Sequence, residues 1–541
     1  MRTVHGRTDR VVVVGAGLSG LSAALHLAGR GREVVVLERD EHPGGRAGRL
    51  DVDGYRLDTG PTVLTMRDIL DETFAAVGDS VDDRLELLPM HPAYDARFAD
   101  GSRLAVHSEA DAMYDEVRRF SGVAEAERYL RLRDWLGQLY RAQYDRFIAA
   151  NMDSPLSVLT PSLARVAALG GFRSVDAQIS RRLHDERLRR VFSFQSLYAG
   201  VAPHRALAVY AVIAYMDTIA GVYFPKGGVR ALPDALAASA AEAGVDLRYG
   251  ATVTELERSG SRITAVRTAD GERLPCDAVV LTTEPHISHR LLGRVPRRPL
   301  PLRAAPSAAI IHVGAPAGSD IGHHTISFGA AWRETFDELV GRGETMSDPS
   351  LLITRPTATD PTLAPPGHDL LSVLAPVPNL TARRGAPALN WSADGDRYLR
   401  EVLAVAAERV APGLADSARI LATSTPADWA KQDMTAGTPF SYAHNLAQTG
   451  PFRPNNFPRF VDNAVLAGSG TTPGVGVPTA LISGRLAADR VTGVTRSGSV
   501  ALPRKVRHDK IRQDNIRHDT NRHDRVHDDK VRDDKVRHDA A

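Results

Sequence analysis

Residues 11–20 read VVVVGAGLSG, and residues 34–38 read VVVLE. An apolar run before a glycine turn predicts a buried strand, and the segment from Leu18 to Gly29 that follows the turn is expected to be helical. The second apolar run predicts another strand, with Glu38 at its end. A strand, a glycine turn, a helix and a second strand ending in an acid are what a bound dinucleotide needs.

Each glycine of this turn meets a separate physical requirement of dinucleotide binding. Gly15 lets the chain turn sharply out of the strand, Gly17 lets backbone N–H groups approach a pyrophosphate, and Gly20 lets the helix pack closely on the strand. The helix begins at Leu18 and Ser19, where its positive end faces the phosphates. The turn therefore predicts dinucleotide binding.

Glu38 lies eighteen residues after Gly20. A carboxylate at this place accepts hydrogen bonds from the adenosine ribose hydroxyls and disfavours a 2′-phosphate. NADP is therefore the least favoured dinucleotide, while NAD and FAD both remain open on this segment alone.

The next segment contains a second glycine pair, with PGGR at residues 43–46 and DTGPT at residues 58–62. Glycines beside Arg46 fit a second approach to the pyrophosphate with a charge-assisted contact, although an ordinary turn after a proline is the simpler alternative. The arrangement resembles the flavin-containing amine oxidase and carotenoid desaturase superfamily, in which such a segment follows the ribose-binding acid. This resemblance implies FAD.

The C-terminal part of the chain carries a further match. Residues 465–488 read VLAGSGTTPGVGVPTALISGRLAA, a pattern typical of a strand, a glycine-rich turn and a helix. It resembles the C-terminal flavin motif of the same superfamily, and the resemblance implies that the turn from Gly468 to Gly476 passes the ribityl and isoalloxazine part of FAD. Ser469 and Gly470 stand where many members have an aspartate, a departure similar to the desaturase branch.

Further segments narrow the resemblance to bacterial phytoene desaturases. They read DTGPTVLTM at 58–66, FSFQSLYAG at 192–200, YFPKGG at 223–228 and TTPGVGVP at 471–478, in the expected order. The resemblance extends from about Arg10 to about Val491. It implies an FAD-dependent oxidoreductase that desaturates a carotenoid precursor, phytoene to lycopene by successive dehydrogenations.

The residues predicted to contact FAD lie mainly in these motifs. The predicted cofactor-binding residues are Gly15, Gly17, Leu18, Ser19, Gly20, Glu38, Arg39, Gly45, Arg46, Gly60, Pro61, Thr62, Val253, Gly468, Gly474, Gly476 and Val477. No metal site is predicted.

The expected fold class is α/β, with a discontinuous Rossmann-type FAD-binding domain, a mixed α+β substrate domain and a helical subdomain. The predicted FAD-binding domain comprises residues 8–75, 225–290 and 455–493. The substrate domain comprises 76–110 and 291–454, the helical subdomain 111–224, and a charged low-complexity tail 494–541. A strand-like stretch is expected at 246–258.

Composition sets further limits on a chain of 541 residues with a net charge of +2. The lone Cys276 excludes a disulfide framework and is expected as a buried core thiol. The longest apolar run, Ala206–Met216, is too short to span a bilayer, and the polar N-terminus predicts a cytoplasmic protein. The tail mixes Lys, Arg, Asp and His, so it is expected to be solvated, and its aspartates disfavour nucleic-acid binding.

A phytoene-like substrate dissolves only in the bilayer, so peripheral contact with the cytoplasmic face of the membrane is expected. Arginines alternate with apolar and aromatic residues between Arg118 and Arg190, for example around Trp135 and Phe147. This pattern fits either contact with anionic headgroups or an amphipathic helix that faces its own core.

The implied reaction requires a hydride acceptor, which a flavin supplies, and an acceptor for one proton. Asp217 is the candidate proton acceptor because it interrupts an apolar run; the alternative is a helix-end ion pair with Lys226 or Arg230. His204 and Arg146 are weaker candidates. Five aromatic residues are expected either to line a substrate tunnel or to belong to the ordinary core: Phe194, Tyr198, Tyr215, Tyr223 and Phe224.

Quinone or oxygen is the expected electron acceptor. An amine or porphyrinogen oxidase, a polyene isomerase or saturase, and a flavin-binding scaffold without catalysis are the alternative functions of the same fold.

Overall fold

The computed structural model describes residues 1–298, 300–381 and 389–494. The predicted charged tail lies outside the described residues except for its first residue, Val494. Helices and strands are both distributed along the described chain, so the structure has the α/β character expected from the sequence.

The strands are distributed along the whole described chain. They are β1 (Arg10–Val14), β2 (Glu33–Leu37), β3 (Arg49–Val52), β4 (Tyr55–Asp58), β5 (Leu64–Thr65), β6 (Leu87–Pro89), β7 (Tyr94–Arg97), β8 (Arg103–Val106), β9 (Val222–Pro225), β10 (Asp246–Arg248), β11 (Val253–Ser259), β12 (Arg262–Thr268), β13 (Arg273–Pro275), β14 (Ala278–Leu281), β15 (Ser307–Pro316), β16 (His324–Ser327), β17 (Leu351–Thr354), β18 (His368–Val377), β19 (Arg419–Ser424) and β20 (Ala464–Leu466).

The helices are most frequent between β8 and β9. They are α1 (Leu18–Ala28), α2 (Arg67–Ala75), α3 (Val81–Arg84), α4 (Ala110–Ser121), α5 (Val123–Gln143), α6 (Pro161–Ala168), α7 (Val175–Ser180), α8 (Glu186–Val191), α9 (Val212–Thr218), α10 (Ala231–Glu242), α11 (Pro285–Leu291), α12 (Arg333–Phe336), α13 (Trp391–Arg409), α14 (Leu414–Ser417), α15 (Pro426–Lys431) and α16 (Val477–Thr492).

Short 3₁₀ and π turns connect these elements. They are Tyr144–Ile148, Pro155–Val158, Phe194–Leu197, Ala208–Ala211, Asp337–Arg342, Pro356–Ala358, Pro361–Leu363, Thr435–Gly437, Leu446–Gln448 and Gly450–Phe452.

A five-stranded parallel sheet in the order β10-β2-β1-β14-β20 forms the centre of the first half of the body. Val12 pairs with Val35 on one side and with Val279 on the other, and Leu281 pairs with Leu466 at the far edge. Strands buried on both faces read as continuous apolar runs, which explains the four consecutive valines of β1. The carboxyl ends of the strands therefore meet at one edge of the sheet, where the glycine turns lie.

Helices α1 and α16 pack against each other beside this sheet. A Cβ at Gly484 would lie 2.3 Å from the Ser19 carbonyl oxygen, so only glycine allows this close approach. The Ser22 hydroxyl donates to the Leu481 carbonyl oxygen at 2.7 Å across the same contact. Helices from opposite ends of the sequence are thereby held together, and both begin at the same edge of the sheet.

A mixed seven-stranded sheet in the order β19-β15-β18-β17-β16-β7-β8 forms the second half of the body. Along β15, Ala309, Ile311 and Val313 pack against α13 in one apolar core. The residues between them, including Ile310 and His312, line a cavity on the opposite face. This alternation follows from the two-residue period of a strand.

The helical segment between β8 and β9 has its own apolar core, which includes Leu132 and Leu136 of α5. Trp135, Leu139 and Tyr140 of the same helix are also buried. The buried apolar and aromatic side chains of α5 therefore face the protein's own core and are not available to contact a membrane, whereas Arg131 and Arg141 of the same helix are exposed. No helix in the described ranges is long and apolar enough to cross a membrane.

The strand-like stretch expected at 246–258 is two strands in two sheets. β10 joins the edge of the parallel sheet, whereas β11 pairs with β12 in a separate antiparallel sheet. A bend at Tyr249–Gly250, where Gly250 has a φ of 69°, separates them, so the expected strand-like stretch is extended but interrupted. Cys276 is buried, as expected, and burial raises the pKa of its thiol to about 12.

Candidate functional site

One large cavity of about 680 Å³ runs between the parallel sheet and the seven-stranded sheet. Except for Gly20 and Gly474, every residue predicted to contact FAD lines this cavity. The cavity walls are more apolar on the side of the seven-stranded sheet, where Ile310, Phe328 and Leu374 lie. The cavity thus has a polar half at the glycine turns and an apolar half beyond it.

The first glycine turn is shaped by close backbone contacts. Gly15 has a φ of 105°, in a region that favours glycine, and a Cβ there would lie 2.4 Å from Thr282 Oγ1. A Cβ at Gly20 would lie 1.9 Å from the Gly15 carbonyl oxygen. Gly20 therefore serves helix packing and does not line the cavity, which separates the packing role of the motif from its ligand-facing role.

The second glycine pair packs directly on the first turn. Gly44 and Gly17 form an isolated parallel bridge, and the Gly44 N–H donates to the Ala16 carbonyl oxygen at 2.9 Å. Gly45 comes so close that a Cβ there would lie 3.3 Å from the Gly17 Cα atom. The two glycine segments therefore form one surface with backbone groups at the cavity wall.

Glu38 lies at the end of β2 and is buried. Its Oε2 atom accepts a hydrogen bond from the Ala16 N–H at 2.6 Å, and Oε1 accepts one from the Asp40 N–H at 3.1 Å. The carboxylate thus braces the first glycine turn and also lines the cavity, in the place predicted for ribose recognition.

The C-terminal glycine segment enters the cavity from β20. The Gly468 N–H donates to Ser483 Oγ at 3.0 Å, which ties the segment to α16. Helix α16 begins at Val477 after Gly476, and both residues line the cavity. Gly474 does not line it; a Cβ there would lie 2.2 Å from His444 Nε2, so this glycine makes room for a buried histidine.

These features fit a dinucleotide with a flavin. Glycines, which have no side chain, form part of the wall of the polar half, and helices α1 and α16 begin at this wall. The guanidinium of Arg46 also lines it. Helix N-termini and backbone N–H groups stabilise phosphate charge, and an arginine adds a charge-assisted contact. The polar half therefore has the donor set that FAD requires.

The apolar half has two of the predicted tunnel residues, Phe194 and Tyr198. Tyr215 instead stacks on Tyr140 with ring centroids 4.4 Å apart, and Phe224 packs against a histidine. Neither of these two lines the cavity, nor does Tyr223, so the expectation of a tunnel wall is wrong for these three. Phe224 is core, as the alternative expected, whereas Tyr215 and Tyr223 are partly buried.

Asp217 of α9 lines the apolar half and is only 3% exposed. Within the described ranges its Oδ2 atom and the hydroxyls of Tyr94 and Tyr198 have no hydrogen-bond partner of good geometry, although the Tyr94 hydroxyl and the Gln195 side chain lie beside the carboxyl group. Burial raises the pKa of Asp217 to about 7, and the neighbouring Tyr94 hydroxyl and Gln195 side chain offset part of that rise. A carboxyl group with this pKa is well suited to exchange a proton near neutral pH.

The ion-pair alternative for Asp217 is wrong. Lys226 pairs with Glu86 at 2.9 Å, and Arg230 pairs with Asp234 at 2.8 Å. The weaker candidates for the proton acceptor, His204 and Arg146, do not line the cavity. His204 lies 3.1 Å from the Asp337 carboxylate, and Arg146 is exposed.

Sequence reasoning missed a polar pair on the sheet side of the cavity. His312 of β15 and Ser372 of β18 face each other in register, with 2.6 Å between Nδ1 and Oγ. Burial lowers the pKa of His312 to about 4, so the ring is neutral at physiological pH. The two residues are sixty positions apart, and only the alternation along β15 hinted that His312 faces the cavity.

Comparisons with known proteins agree with this site. The family model described as flavin containing amine oxidoreductase matches residues 18–492. A protein of Streptomyces griseus named phytoene dehydrogenase is 61% identical over 494 residues, which cover 91% of this chain and 97% of that protein. A protein of Myxococcus xanthus named zeta-carotene-forming phytoene desaturase is 37% identical over 91% of this chain and 96% of its own length.

The chain belongs to the phytoene desaturase branch of the flavin containing amine oxidoreductase family. A lycopene-forming phytoene desaturase of Pseudescherichia vulneris is 32% identical, over 88% of this chain and 98% of that protein. Family membership confirms the predicted FAD cofactor and the assignment of the chain as an FAD-dependent oxidoreductase.

Solved structures show the same fold. A putrescine oxidase variant has a TM-score of 0.59 and 15% sequence identity, covering 90% of this chain and 99% of that one. Cyclohexylamine oxidase from Brevibacterium oxydans IH-35A has a TM-score of 0.56 and 17% identity, covering 89% and 98%. These likenesses confirm the α/β fold class of the family.

Proposed function

We propose that this chain desaturates a carotenoid precursor, converting phytoene to lycopene by successive FAD-dependent dehydrogenations. The observation that carries the proposal is the continuous cavity, whose glycine-lined half fits FAD and whose other half has walls of Phe194, Phe328, Ile326 and Leu374. An apolar wall beside a redox cofactor suits a hydrocarbon substrate, since burial of apolar surface supplies the binding energy.

When bound, FAD supplies a hydride acceptor. The residues of the chain hold the polyene, exclude water and take up the proton that leaves the neighbouring carbon. We assign the proton to Asp217, whose Oδ2 atom is buried at the cavity and has no hydrogen-bond partner of good geometry among the described residues. Burial and the charge of this carboxyl group both raise the pKa of the neighbouring Tyr94 and Tyr198 hydroxyls.

Membrane contact is part of the proposal, because the substrate would have to be drawn from the bilayer. Four exposed apolar side chains form what we call the apolar patch: Leu156, Leu159, Leu446 and Phe452. The turns Pro155–Val158 and Gly450–Phe452 contact each other, so these segments are neighbours. The guanidinium of Arg298 donates to the Phe452 carbonyl oxygen beside them.

Apolar side chains next to an arginine favour a surface that contains anionic lipid. We therefore propose a cytoplasmic protein that binds the membrane peripherally through the apolar patch. The electron acceptor in this proposal is a quinone from the same membrane or oxygen. The oxidase, isomerase or saturase, and scaffold alternatives are not favoured, since the relatives that match most of the chain are phytoene desaturases by name.

The test is a reconstituted reaction. Purified protein loaded with FAD is incubated on liposomes that contain phytoene, and the visible absorption of the extracted pigment is followed. We expect a coloured product whose bands move to longer wavelength as conjugated double bonds are added, and whose formation requires FAD. Bound FAD without any spectral change, with phytoene or partly desaturated polyenes, would contradict the proposal.

A further inference from the structure

Polar contacts cross the cofactor half of the cavity and join four segments that are distant in sequence. Arg46 donates through Nη1 to Ser469 Oγ at 3.1 Å, and through Nη2 to Oε1 of Glu284. The second oxygen of Glu284, Oε2, accepts from the Thr435 hydroxyl at 2.8 Å and from the Thr435 N–H at 3.3 Å. Glu284 is therefore the centre of this chain of contacts.

The place of Glu284 in the fold explains why it can reach both partners. It follows β14, just before α11 begins at Pro285, and it lines the same cavity as Arg46. Its side chain is 14% exposed, and three donors from two segments bind it. A carboxylate that is mostly removed from water and bound by several donors has a fixed position, so the guanidinium of Arg46 is fixed with it.

A second contact ties the Thr435 segment to the other end of the cofactor site. We call residues 432–437 the strap. Arg39 donates through Nη1 to Asp433 Oδ2 at 2.7 Å and through Nη2 to the Gln432 carbonyl oxygen at 3.3 Å. Gln432, Asp433 and Met434 line the cavity. The strap thus spans from Arg39, next to the ribose-binding acid, to Glu284.

The backbone of this region is unusual. Asp433 has a φ of 63°, Ala436 a φ of 55° and nearby Ser441 a φ of 55°. In the described ranges only Asp53 and Met66 are also non-glycine residues with positive φ. Ala436 has no polar side chain to offset the steric cost of this conformation. Such a conformation persists only where surrounding contacts hold it, and it is most frequent at ligand-binding segments.

We propose that Glu284 is a positioning residue for FAD: it orients Arg46 toward the cofactor and fastens the strap across it. The strap contacts then set how slowly FAD leaves the protein. The inference rests on FAD binding and not on the identity of the polyene. Glu284 and Thr435 belong to none of the three glycine motifs, so they add to the predicted cofactor site.

The experiment measures the rate at which FAD leaves the purified holoenzyme. Protein is diluted, and the flavin that is retained on ultrafiltration is determined by absorbance at intervals. Thr435→Val removes the hydroxyl donor at nearly constant shape, and we expect FAD to leave about tenfold faster, the loss that one hydrogen bond to a charged group implies. Thr435→Ser keeps the donor and should retain FAD as the wild type does.

Glu284→Gln gives an independent readout. The substitution frees Arg46 from its ion pair, so we expect faster FAD release together with a changed absorption spectrum of the bound flavin. Thr423→Val on the exposed side of β19 is the matched control and should leave both properties unchanged. Thermal unfolding of the apoproteins is compared as well, so that a general loss of stability can be distinguished from faster release of FAD.

Wild-type release rates for both Thr435→Val and Glu284→Gln would overturn the inference, and so would a Thr435→Ser variant as fast as Thr435→Val. Wild-type protein that never retains FAD would overturn the inference and the cofactor assignment together. Normal FAD retention in every variant contradicts this inference alone, whereas a wild type that retains FAD but does not turn over phytoene contradicts the proposed function alone. The two failures are therefore distinguishable, because only the turnover measurement requires the substrate.

Discussion

Glu38 Oε2 accepts a hydrogen bond from the Ala16 N–H at 2.6 Å, so the acid that ends β2 holds the glycine turn that ends β1. The carboxylate therefore has a structural task before any ligand binds. Because its other oxygen accepts from the Asp40 N–H, both oxygens are already oriented by the backbone. A ribose would meet a carboxylate whose position is fixed.

This relationship predicts the effect of Glu38→Gln. One oxygen becomes an NH₂ group that faces an N–H donor, so one buried hydrogen bond to a charged acceptor is lost, at a cost of about 1.5–3 kcal/mol. We expect at least about tenfold weaker FAD binding, measured by titration of the apoprotein. Glu33→Gln at the exposed start of β2 is the control. Equal FAD affinity in both variants would exclude a role for the Glu38 charge.

Asp217 predicts how turnover depends on pH. Because burial raises its pKa to about 7, the proton-accepting form increases as pH rises through 7. We expect the single-turnover rate to rise over the same range and to fall about 10²–10⁴-fold in Asp217→Asn. Asp68→Asn is the matched control, since burial also raises the pKa of Asp68 but this residue does not line the cavity. Full single-turnover desaturation by Asp217→Asn at normal flavin content would refute the assignment.

The same carboxyl group predicts a pH dependence of stability. Its pKa is about 7 in the folded chain and about 3.8 in the unfolded one, so the folded chain binds more protons between these values. The free energy of unfolding contributed by Asp217 is fully present below pH 3.8 and is lost as pH rises through 7. Denaturant unfolding at pH 5 and pH 8 should show a smaller difference in Asp217→Asn than in wild type. An equal difference in both proteins would mean that the raised pKa is wrong.

The glycine segments and their partners could be predicted from the sequence because their requirements are local. A turn such as that at Gly15 needs a positive φ, and Gly20 must pack against a carbonyl oxygen only five residues away. The C-terminal motif could be predicted equally well, because a single turn and a single helix contain it. Such features are specified by neighbours along the chain, so a single sequence is enough to find them.

Other features depend on contacts between distant segments. His312 meets Ser372 only because β15 and β18 pair in one register, which no local pattern specifies. The direction of α5 was undecided for the same reason, because an amphipathic helix does not reveal whether Trp135 faces protein or lipid. The contact of the strap between Glu284 and Thr435 likewise could not be predicted from the sequence, because neither residue belongs to a motif.

The His312 and Ser372 pair predicts a non-additive effect on stability. Ser372→Ala leaves the buried Nδ1 atom of His312 without its partner, which should cost about 1–3 kcal/mol of unfolding free energy. Removing both groups in a His312→Leu/Ser372→Ala variant should cost less than the sum of the single changes, with a coupling energy of about 0.5–3 kcal/mol. Urea unfolding of the four proteins gives this cycle. Strict additivity would mean that the two side chains do not interact.

The apolar patch predicts where the protein meets lipid. Leu156 is 75% exposed and Phe452 is 48% exposed, so a charge at either position disturbs no core. We expect Leu156→Glu and Phe452→Glu to reduce binding to phosphatidylcholine vesicles that contain phosphatidylglycerol. Each substitution replaces an apolar side chain that would insert into the lipid with a charge that anionic lipid repels. Sedimentation with the vesicles measures the bound fraction. Leu50→Glu is the control, since Leu50 is also exposed but lies in β3, outside the patch. If all three variants bind as the wild type does, the membrane contact lies on another surface; if Leu50→Glu alone loses binding, the assignment of the patch is wrong.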